Sequence, residues 1–308
     1  LTQNRFAETV AAVASSLRQT NIRCHVSLLD QGSTAAIQAD FAAAFKDHPN
    51  FGFHIAGRNL GVGGGRNFLA ALGSGRYIVA LDNDAVFADD LVAAKAAALF
   101  EATPGLGVIG FKILAQDGVN LDMFSWGYPQ GLKNAAHGDF TSTTFVGAGH
   151  AIARRAWIAA GGYDADLFFT WEEYDFSLRV IARQWSIRYT ASLAVIHKIS
   201  PEARVVWQSA RMRYFVRNRV IVARKWNVSW LELLPRICGY LLKALRNRRL
   251  SPALAGLLDA IRTDRWLFKQ NFTPHMRRYV RDNESRFHVG LVRGFYRHVF
   301  LKMEADPK

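Results

Sequence analysis

Between residues 5 and 114 the spacing of apolar residues switches back and forth between two periods, and this alternation constrains the fold more than any other feature. Helical spacing covers 5–17, 35–45, 66–72 and 91–100, and short apolar runs cover 24–29, 51–55, 77–81 and 106–114. Strand and helix taken in turn predict an α/β domain built on a mostly parallel, doubly wound sheet flanked by helices. Residues 115–150 break the pattern with glycines and mixed polar and aromatic residues. After them the sequence predicts a helix over 151–160, an acidic helix start within 168–184 and short strands at 187–190 and 193–196. From about Arg204 only helices are expected, rich in Trp, Leu and basic residues, so the chain divides into an α/β part, 1–220, and a basic helical part, 221–308. Polar Leu1-Thr-Gln-Asn-Arg5 runs directly into a helix, so the first strand of the sheet is expected to be truncated.

Half of the 308 residues are hydrophobic and 21% are charged, a globular composition. Cys24 and Cys238 lie far apart without metal-ligand spacing, which argues against a disulfide framework or a cysteine zinc site and fits reduced, cytoplasmic thiols. No uncharged apolar run approaches the roughly 18 residues of a membrane span, and no signal peptide is visible. The net charge of +14 directs the chain toward anions: nucleic acid, acidic lipid or phosphorylated small molecules. Trp226, Trp230, Leu234, Leu241 and Leu245 among arginines and lysines suit an amphipathic surface on anionic lipid, peripheral to the inner face of a cytoplasmic membrane. Packing of these helices on the α/β part, or on a second copy in an oligomer, is the equally open alternative.

In an open parallel sheet, ligands bind beyond the carboxyl ends of the strands. Asp30, Arg58-Asn59 and Asp82-Asn83-Asp84 all fall at such ends and are expected to line one crevice. In the Gly-rich segment 57–67, glycines between strand and helix would let the backbone approach a ligand, and a helix N-terminus favours phosphate. It is not a P-loop, and Arg66 stands where a dinucleotide fingerprint needs its third glycine; a ligand-free turn explains the run equally well. Asp82 and Asp84 share a side of an extended chain and can converge on Mg²⁺ or Mn²⁺, although a simple turn would use the same residues. Glu172, Glu173 and Asp175 open a helix among Phe168, Phe169 and Trp171. Such acids complement a helix dipole, by about 0.3–1 kcal/mol each, but apolar neighbours also raise a carboxyl pKa toward that of a general base. Arg179 is placed to pair with Asp175 at i,i+4. His197, after the last short strand, is either a structural hydrogen-bonder or a third metal ligand.

In this order and spacing, the motifs from Leu1 to about Trp226 resemble glycosyltransferase family 2, nucleotide-sugar-dependent inverting enzymes with the Rossmann-like GT-A fold. Leu1-Thr-Gln-Asn-Arg5 is similar to the end of the family's first strand and V-x-Y-N-R loop, Asp30-Gln-Gly-Ser33 to its D-N-G-S turn, and Asn59-Leu-Gly61 through Asn67 to its N-x-G…N segment. Asp82-Asn83-Asp84 stands at the D-x-D. Gly147-Ala-Gly149, Arg154-Arg155 and Gly161-Gly-Tyr-Asp164 resemble the acceptor-side segment. Trp171-Glu-Glu-Tyr-Asp175 resembles the E-D-x-D block, His197-Lys198 the late histidine, and Tyr214-Phe-Val-Arg-Asn-Arg219 a Y-x-x-R-N-R helix. The resemblance implies that Asp30 holds the nucleotide base and that Arg58, Asn59, Gly61, Arg66, Asn67, Asp82 and Asn83 lie near the nucleotide sugar. It implies metal ligation by Asp82, Asp84 and His197, and Glu173 as base with Glu172 next in line. Gly147, Gly149, Trp171 and Asp175 would lie on the acceptor side.

The same resemblance implies a UDP- or dTDP-linked donor, a Mn²⁺ or Mg²⁺ cofactor, a glycan or lipid-linked acceptor and a place in cell-envelope polysaccharide synthesis. Nucleic acid is not an expected partner. Three departures stand out: the truncated first strand, Gln31 in place of Asn, and Glu172-Glu173 in place of E-D. Trp171-Glu-Glu is also similar to a block of galactofuranosyltransferases, and a rhamnosyl donor is equally compatible with the family. The competing classes are a non-catalytic basic module for membrane or nucleic acid and a nucleotidyltransferase. The first leaves acids at strand ends unexplained. The second predicts a basic Gly-rich loop after the first strand, where this chain has none.

Overall fold

The structure, a computed structural model, describes residues 1–198, 209–263 and 269–285. Two sheets carry the α/β part. In the smaller, β1 (Val26–Asp30) and β2 (Phe51–Ile55) pair in parallel, and Thr2 bridges to Asp30 on the outer side of β1. Helices α1 (Phe6–Leu17) and α2 (Ala35–Ala44) cover it through a cluster of Val13, Leu28 and Phe41.

The larger sheet has the order β3-β7-β5-β8-β4, from β3 (Tyr77–Leu81), β4 (Ala85–Phe87), β5 (Leu106–Leu114), β7 (Gly149–Ala153) and β8 (Ser186–His197); β6 (Asp139–Ser142) also pairs with β8. β5 and β8 run parallel, whereas β7 enters antiparallel between β3 and β5. The α/β class with flanking helices is as the alternation predicts, and the sheet that results is mixed. Residues 151–153 were expected to begin a helix and instead finish β7, because all five of its residues are buried between two strands. Short apolar runs carry no period that separates the two states. The two short strands expected at 187–190 and 193–196 are one strand, β8; its register on β5 shifts between Thr190 and Ala194, so the bulge explains the apparent break.

Helix α3 (Gly61–Leu72) starts five residues before the helix predicted at Arg66. Its glycines are packing surface. A side chain at Gly61 would strike Phe168, one at Gly63 would press on Asp164, and one at Gly65 would meet Leu1 and Gln31. Val62 N–H donates to the Phe168 carbonyl at 2.7 Å, so the helix start is pinned to the segment that precedes the acidic helix. α4 (Val92–Ala102) and α5 (Arg154–Ala160) pack against the sheet, while α6 (Glu172–Ala182) packs against α5 and β8.

The helices that follow, α7 (Ser209–Lys225), α8 (Trp230–Arg246), α9 (Leu250–Arg262) and α10 (Pro274–Asn283), share one core with the α/β part. That core runs from Val108 through Phe176 and Ile187 to Val220, Leu233, Ala260 and Met276. Residue 220, where the sequence turns basic and helical, lies inside α7. The helical reading of 204–208, 264–268 and 286–308 lies outside the described residues.

Candidate active site

Asp82, Asn83 and Asp84 form a turn, closed by Ala85 N–H donating to the Asp82 carbonyl at 3.1 Å. The extended geometry that would set both carboxylates on one side is therefore absent, and each side chain has its own partner. Asp82 Oδ1 accepts from Arg66 at 3.0 Å. Asn83 Nδ2 donates to the hydroxyls of Thr2 and Thr9, both at 3.4 Å, so it ties the turn to α1 and to the strand-side residues before it. Asp84 accepts from Arg5 at 2.7 Å and faces His197 Nε2 at 3.3 Å.

Arg66 is the hub. It is 9% exposed and donates to Asp82, to Glu173 Oε1 at 2.9 Å and to the Gly147 carbonyl at 2.9 Å. Burial opposes its charge, but Tyr163, Asp82 and Glu173 around it outweigh that and raise its pKa above the usual arginine range. A guanidinium is suited to this place because it donates in several fixed directions from one planar group. Gly147 is constrained from the other side, since any side chain there would occupy the position of Glu173 Oε1. Glu173 thus sits against a backbone without side-chain cover, part-exposed and held by a cation.

Glu172 differs from its neighbour. It is 3% exposed, and its Oε2 has no hydrogen-bond partner among the described residues. Burial, then the charge of Glu173, pushes its carboxyl well above the usual range.

The residues leading into α6 have unusual backbone. Phe168, Thr170 and Trp171 have φ of 62°, 69° and 69°, in the left-handed half of the map, where bulky side chains cost energy unless the surroundings enforce them. The enforcement comes from α7. The fully buried Asn218 donates through Nδ2 to the carbonyls of Leu167, Phe169 and Thr170 at 2.7, 2.9 and 3.0 Å. Arg217 donates to the Asp166 carbonyl, Trp171 Nε1 donates to the Phe215 carbonyl, and the Arg219 guanidinium lies 5.0 Å from the Trp171 ring centre. The Arg217-Asn218-Arg219 motif therefore sets the start of α6 and with it Glu172 and Glu173. Sequence reading noticed the motif and assigned it no role.

His197 is positioned by a residue the sequence reading missed altogether. Its Nδ1 pairs with Asp122 Oδ2 at 2.9 Å, and Asp122 in turn accepts from Ser125 Oγ and from Phe124 N–H. Burial lowers the imidazole pKa, but Asp122 and Asp84 outweigh it and raise it to about 9. Burial likewise opposes the Asp122 charge, and the His197 hydrogen bond brings its carboxyl down to about 2. The Asp84 carboxyl, though buried, is held below the usual range by His197 and Arg5. Asp122 lies in the irregular, Gly-rich stretch after β5, where no motif marks it.

These contacts bear on the predicted metal site. Among the described residues no three His, Cys, Asp or Glu side chains are gathered around one point. The predicted trio of Asp82, Asp84 and His197 is divided, with Asp82 on Arg66. Asp84 and His197 Nε2 do fit a divalent cation as a two-donor set: a hard carboxylate beside an imidazole nitrogen whose other nitrogen is anchored by a carboxylate.

Other predicted residues have structural partners. Asp30, fully buried, accepts from Ser33 N–H and Gln38 Nε2 and so closes its own turn. Gln31 reaches the start of α3, where Leu60 N–H donates to its Oε1 at 3.0 Å. Arg58 and Asn59 are exposed, and Asn59 Oδ1 accepts from Gly61 N–H at 2.8 Å. Asn67 clamps the Tyr163 backbone by donating to its carbonyl and accepting its N–H. Gly149 packs beneath Val195 and Phe111. Asp175 is fully buried between Arg179, at the predicted i,i+4 spacing, and Lys225, each at 2.9 Å. The structure gathers Arg66, Asp82, Gly147 and Glu173 around one guanidinium, and Asp84 with His197 beside Arg5.

Comparison with known proteins places these features. A sequence model described as "Glycosyl transferase family 2" matches residues 1–162. An uncharacterized protein of Haemophilus influenzae is 26% identical over 164 residues, which cover 51% of this chain and 86% of that protein. Similar solved structures include a mannosyltransferase, PcManGT, from Pyrobaculum calidifontis in complex with GDP-Man and Mn²⁺ (TM-score 0.56, 14% identity, 95% of this chain and 75% of that one). GalNAc-T7 with UDP, GalNAc and Mn²⁺ gives a TM-score of 0.59 at 16% identity, over 94% of this chain and 55% of that one, so this chain spans about half its length. At these identities the likeness is one of fold.

Proposed function

The chain belongs to glycosyltransferase family 2, and from that premise we propose that it moves a sugar from a nucleoside diphosphate sugar to an acceptor hydroxyl in one inverting displacement. The observation that carries this reading is Arg66, which links Asp82 at the D-x-D turn to Glu173 at the start of α6. One buried guanidinium is thus shared by the nucleotide-side acid and the candidate base.

Glu173 is the base. Its Oε1 would take the proton of the acceptor hydroxyl as that oxygen bonds to the anomeric carbon and the diphosphate oxygen departs with its electron pair. Arg66 keeps Glu173 oriented, and the bare backbone of Gly147 leaves room beside it. Glu172, buried and with its carboxyl pushed above the usual range by burial and by Glu173, is the weaker candidate. Asp84 and His197 Nε2, the latter on losing its proton, would hold Mn²⁺ or Mg²⁺, which would offset charge on the departing diphosphate. Asp122 fixes the His197 ring. Mn²⁺ beside a nucleotide or nucleotide sugar in the two fold neighbours supports this class of donor and metal.

The finer reading places catalysis in residues 1–220, with 221–308 as a basic helical region, and takes a UDP- or dTDP-linked hexose or deoxyhexose, galactofuranose and rhamnose included, as donor. A glycan or lipid-linked acceptor in cell-envelope polysaccharide synthesis, met at the inner face of a cytoplasmic membrane, fits the basic charge. No helix among the described residues is long and apolar enough to cross a membrane. The test is release of nucleoside diphosphate from a panel of nucleotide sugars. At least one donor is expected to be consumed, with loss in EDTA and recovery with Mn²⁺. No release from any donor, with metal and a range of glycan and lipid-linked acceptors present, contradicts the reading.

A further inference from the structure

A cleft of about 610 Å³ opens beside Phe168, between α7 and α9. The two helices meet closely because Gly256 on α9 has no side chain to strike the Arg213 carbonyl on α7. Asp259, a turn further along α9, is thereby brought beside the Arg213 side chain. The cleft that results is lined by Arg213, Arg217, Arg262, Asp259 and the stacked rings of Phe168 and Tyr214, whose centres are 5.2 Å apart. Asp166 lines its rim.

Three guanidiniums therefore face two carboxylates. Asp259 is paired with Arg213 at 2.6 Å, and its carboxyl is held below the usual range by Arg213 first and by Arg217 and Arg262 after it. Arg217 is braced by the Asp166 carbonyl and by Asn218 Oδ1, and it lies over the Tyr214 ring. Arg262 is exposed at the mouth. Three guanidiniums, two of them held by Asp259 and by the Asp166 carbonyl, beside an aromatic wall match the oxygens of a phosphate or diphosphate better than those of a neutral sugar.

The surroundings narrow the ligand further. Around α9, Arg262 lies between Asp259, which faces α7, and a stripe of Leu254, Leu258 and Ile261 that is 42–50% exposed. On the neighbouring α8, Leu231, Leu234, Leu242 and Leu245 are also exposed, at helical spacing. A phosphate seated at Arg262 has hydrocarbon-compatible surface directly beside it.

We propose that the cleft between α7 and α9 is a binding site for a phosphate or diphosphate group, presented by an amphiphile whose apolar part lies along the Leu254–Leu258–Ile261 stripe. A membrane phospholipid or lipid-linked diphosphate carries this chemistry, whereas a soluble phosphorylated molecule shares only its phosphate. The experiment separates them.

The full chain and its Arg262→Gln and Arg262→Glu variants are titrated calorimetrically with inorganic pyrophosphate and sedimented with phosphatidylcholine vesicles, with and without phosphatidylglycerol. Because Arg262 is exposed, neither variant is expected to disturb the fold, and melting temperatures check this. Pyrophosphate affinity is expected to fall at least tenfold in Arg262→Gln and further in Arg262→Glu. Preferential sedimentation with phosphatidylglycerol vesicles that falls in the same variants identifies a lipid phosphate. Sedimentation that ignores the substitutions while pyrophosphate affinity falls identifies a soluble one and removes the amphiphile from the proposal. Absent pyrophosphate binding, or an affinity within twofold of the parent in both variants, overturns the site. The titration uses no nucleotide sugar, so its failure is distinct from failure of the transferase reading.

Discussion

Arg66 Nη1 donates to Glu173 Oε1 at 2.9 Å, joining a residue of α3 to one 107 positions later at the start of α6. Removing this cation leaves Glu173 and Asp82 facing each other uncompensated. Breaking a buried pair costs about 3–5 kcal/mol, and because Asp82 is 42% exposed the lower figure applies. Arg66→Met is expected to destabilise the chain by about 3 kcal/mol in urea unfolding. Arg66→Lys is expected to restore part of that stability but not activity, since one ammonium cannot reproduce the planar three-way geometry.

The buried carboxyl of Glu172 makes a pH prediction. In the unfolded chain it ionises near 4.5, whereas in the fold burial and the neighbouring Glu173 raise its pKa well above that, with Arg66, Asp82 and Arg211 also in range. The unfolded chain therefore loses this proton first. The group's contribution is fully present below about pH 4.5 and declines as pH rises toward the folded-state value. Glu172→Gln removes the loss. The melting temperature of the parent chain is expected to fall relative to Glu172→Gln as pH rises from 4.5 to neutrality, and parallel curves would contradict it.

Asn218 makes a third prediction. Asn218→Ala leaves the carbonyls of Leu167, Phe169 and Thr170 without their shared donor, in a segment already held at positive φ. A loss of about 2–3 kcal/mol in unfolding free energy is expected. Turnover should fall more than thermal stability at the assay temperature explains, because the start of α6 carries Glu173.

The strands and helices read up to Leu114 were legible because short apolar runs alternate there with stretches of helical spacing. β7 was not, because it is buried on both faces and has no period to read. The glycine run of α3 was legible as a close approach, but sequence gives no means of telling a ligand from a protein segment as the partner, and here the partner is Phe168 with its neighbours. The acids at the ends of β1 and β3 were legible as polar strand ends. Their partners were not, since Arg66, Arg5 and Gln38 compete for them only once the chain is folded. Asp122 was invisible for the same reason: a single acid in an irregular stretch gains its role only by meeting His197.

That meeting makes a fourth prediction. Asp122→Asn keeps the shape beside His197 Nδ1 but removes the charge that orients and polarises the ring. Loss of such a partner to a metal ligand lowers affinity about 10–100-fold. Mn²⁺ titration followed by electron paramagnetic resonance is expected to show that loss in Asp122→Asn and a deeper one in His197→Ala. Equal Mn²⁺ affinity in all three proteins would remove His197 from the metal site.

The central claim is that Glu173 removes the acceptor proton in a site built around Arg66. It is tested most directly by measuring sugar transfer and donor affinity together in Glu173→Gln. The amide keeps the size of the side chain and can still accept from Arg66 through its oxygen. Transfer is expected to fall by about 10²–10⁴-fold, the range for loss of a general base, with donor affinity and melting temperature near those of the parent chain. Transfer within a few-fold of the parent, with the fold intact, would contradict the account.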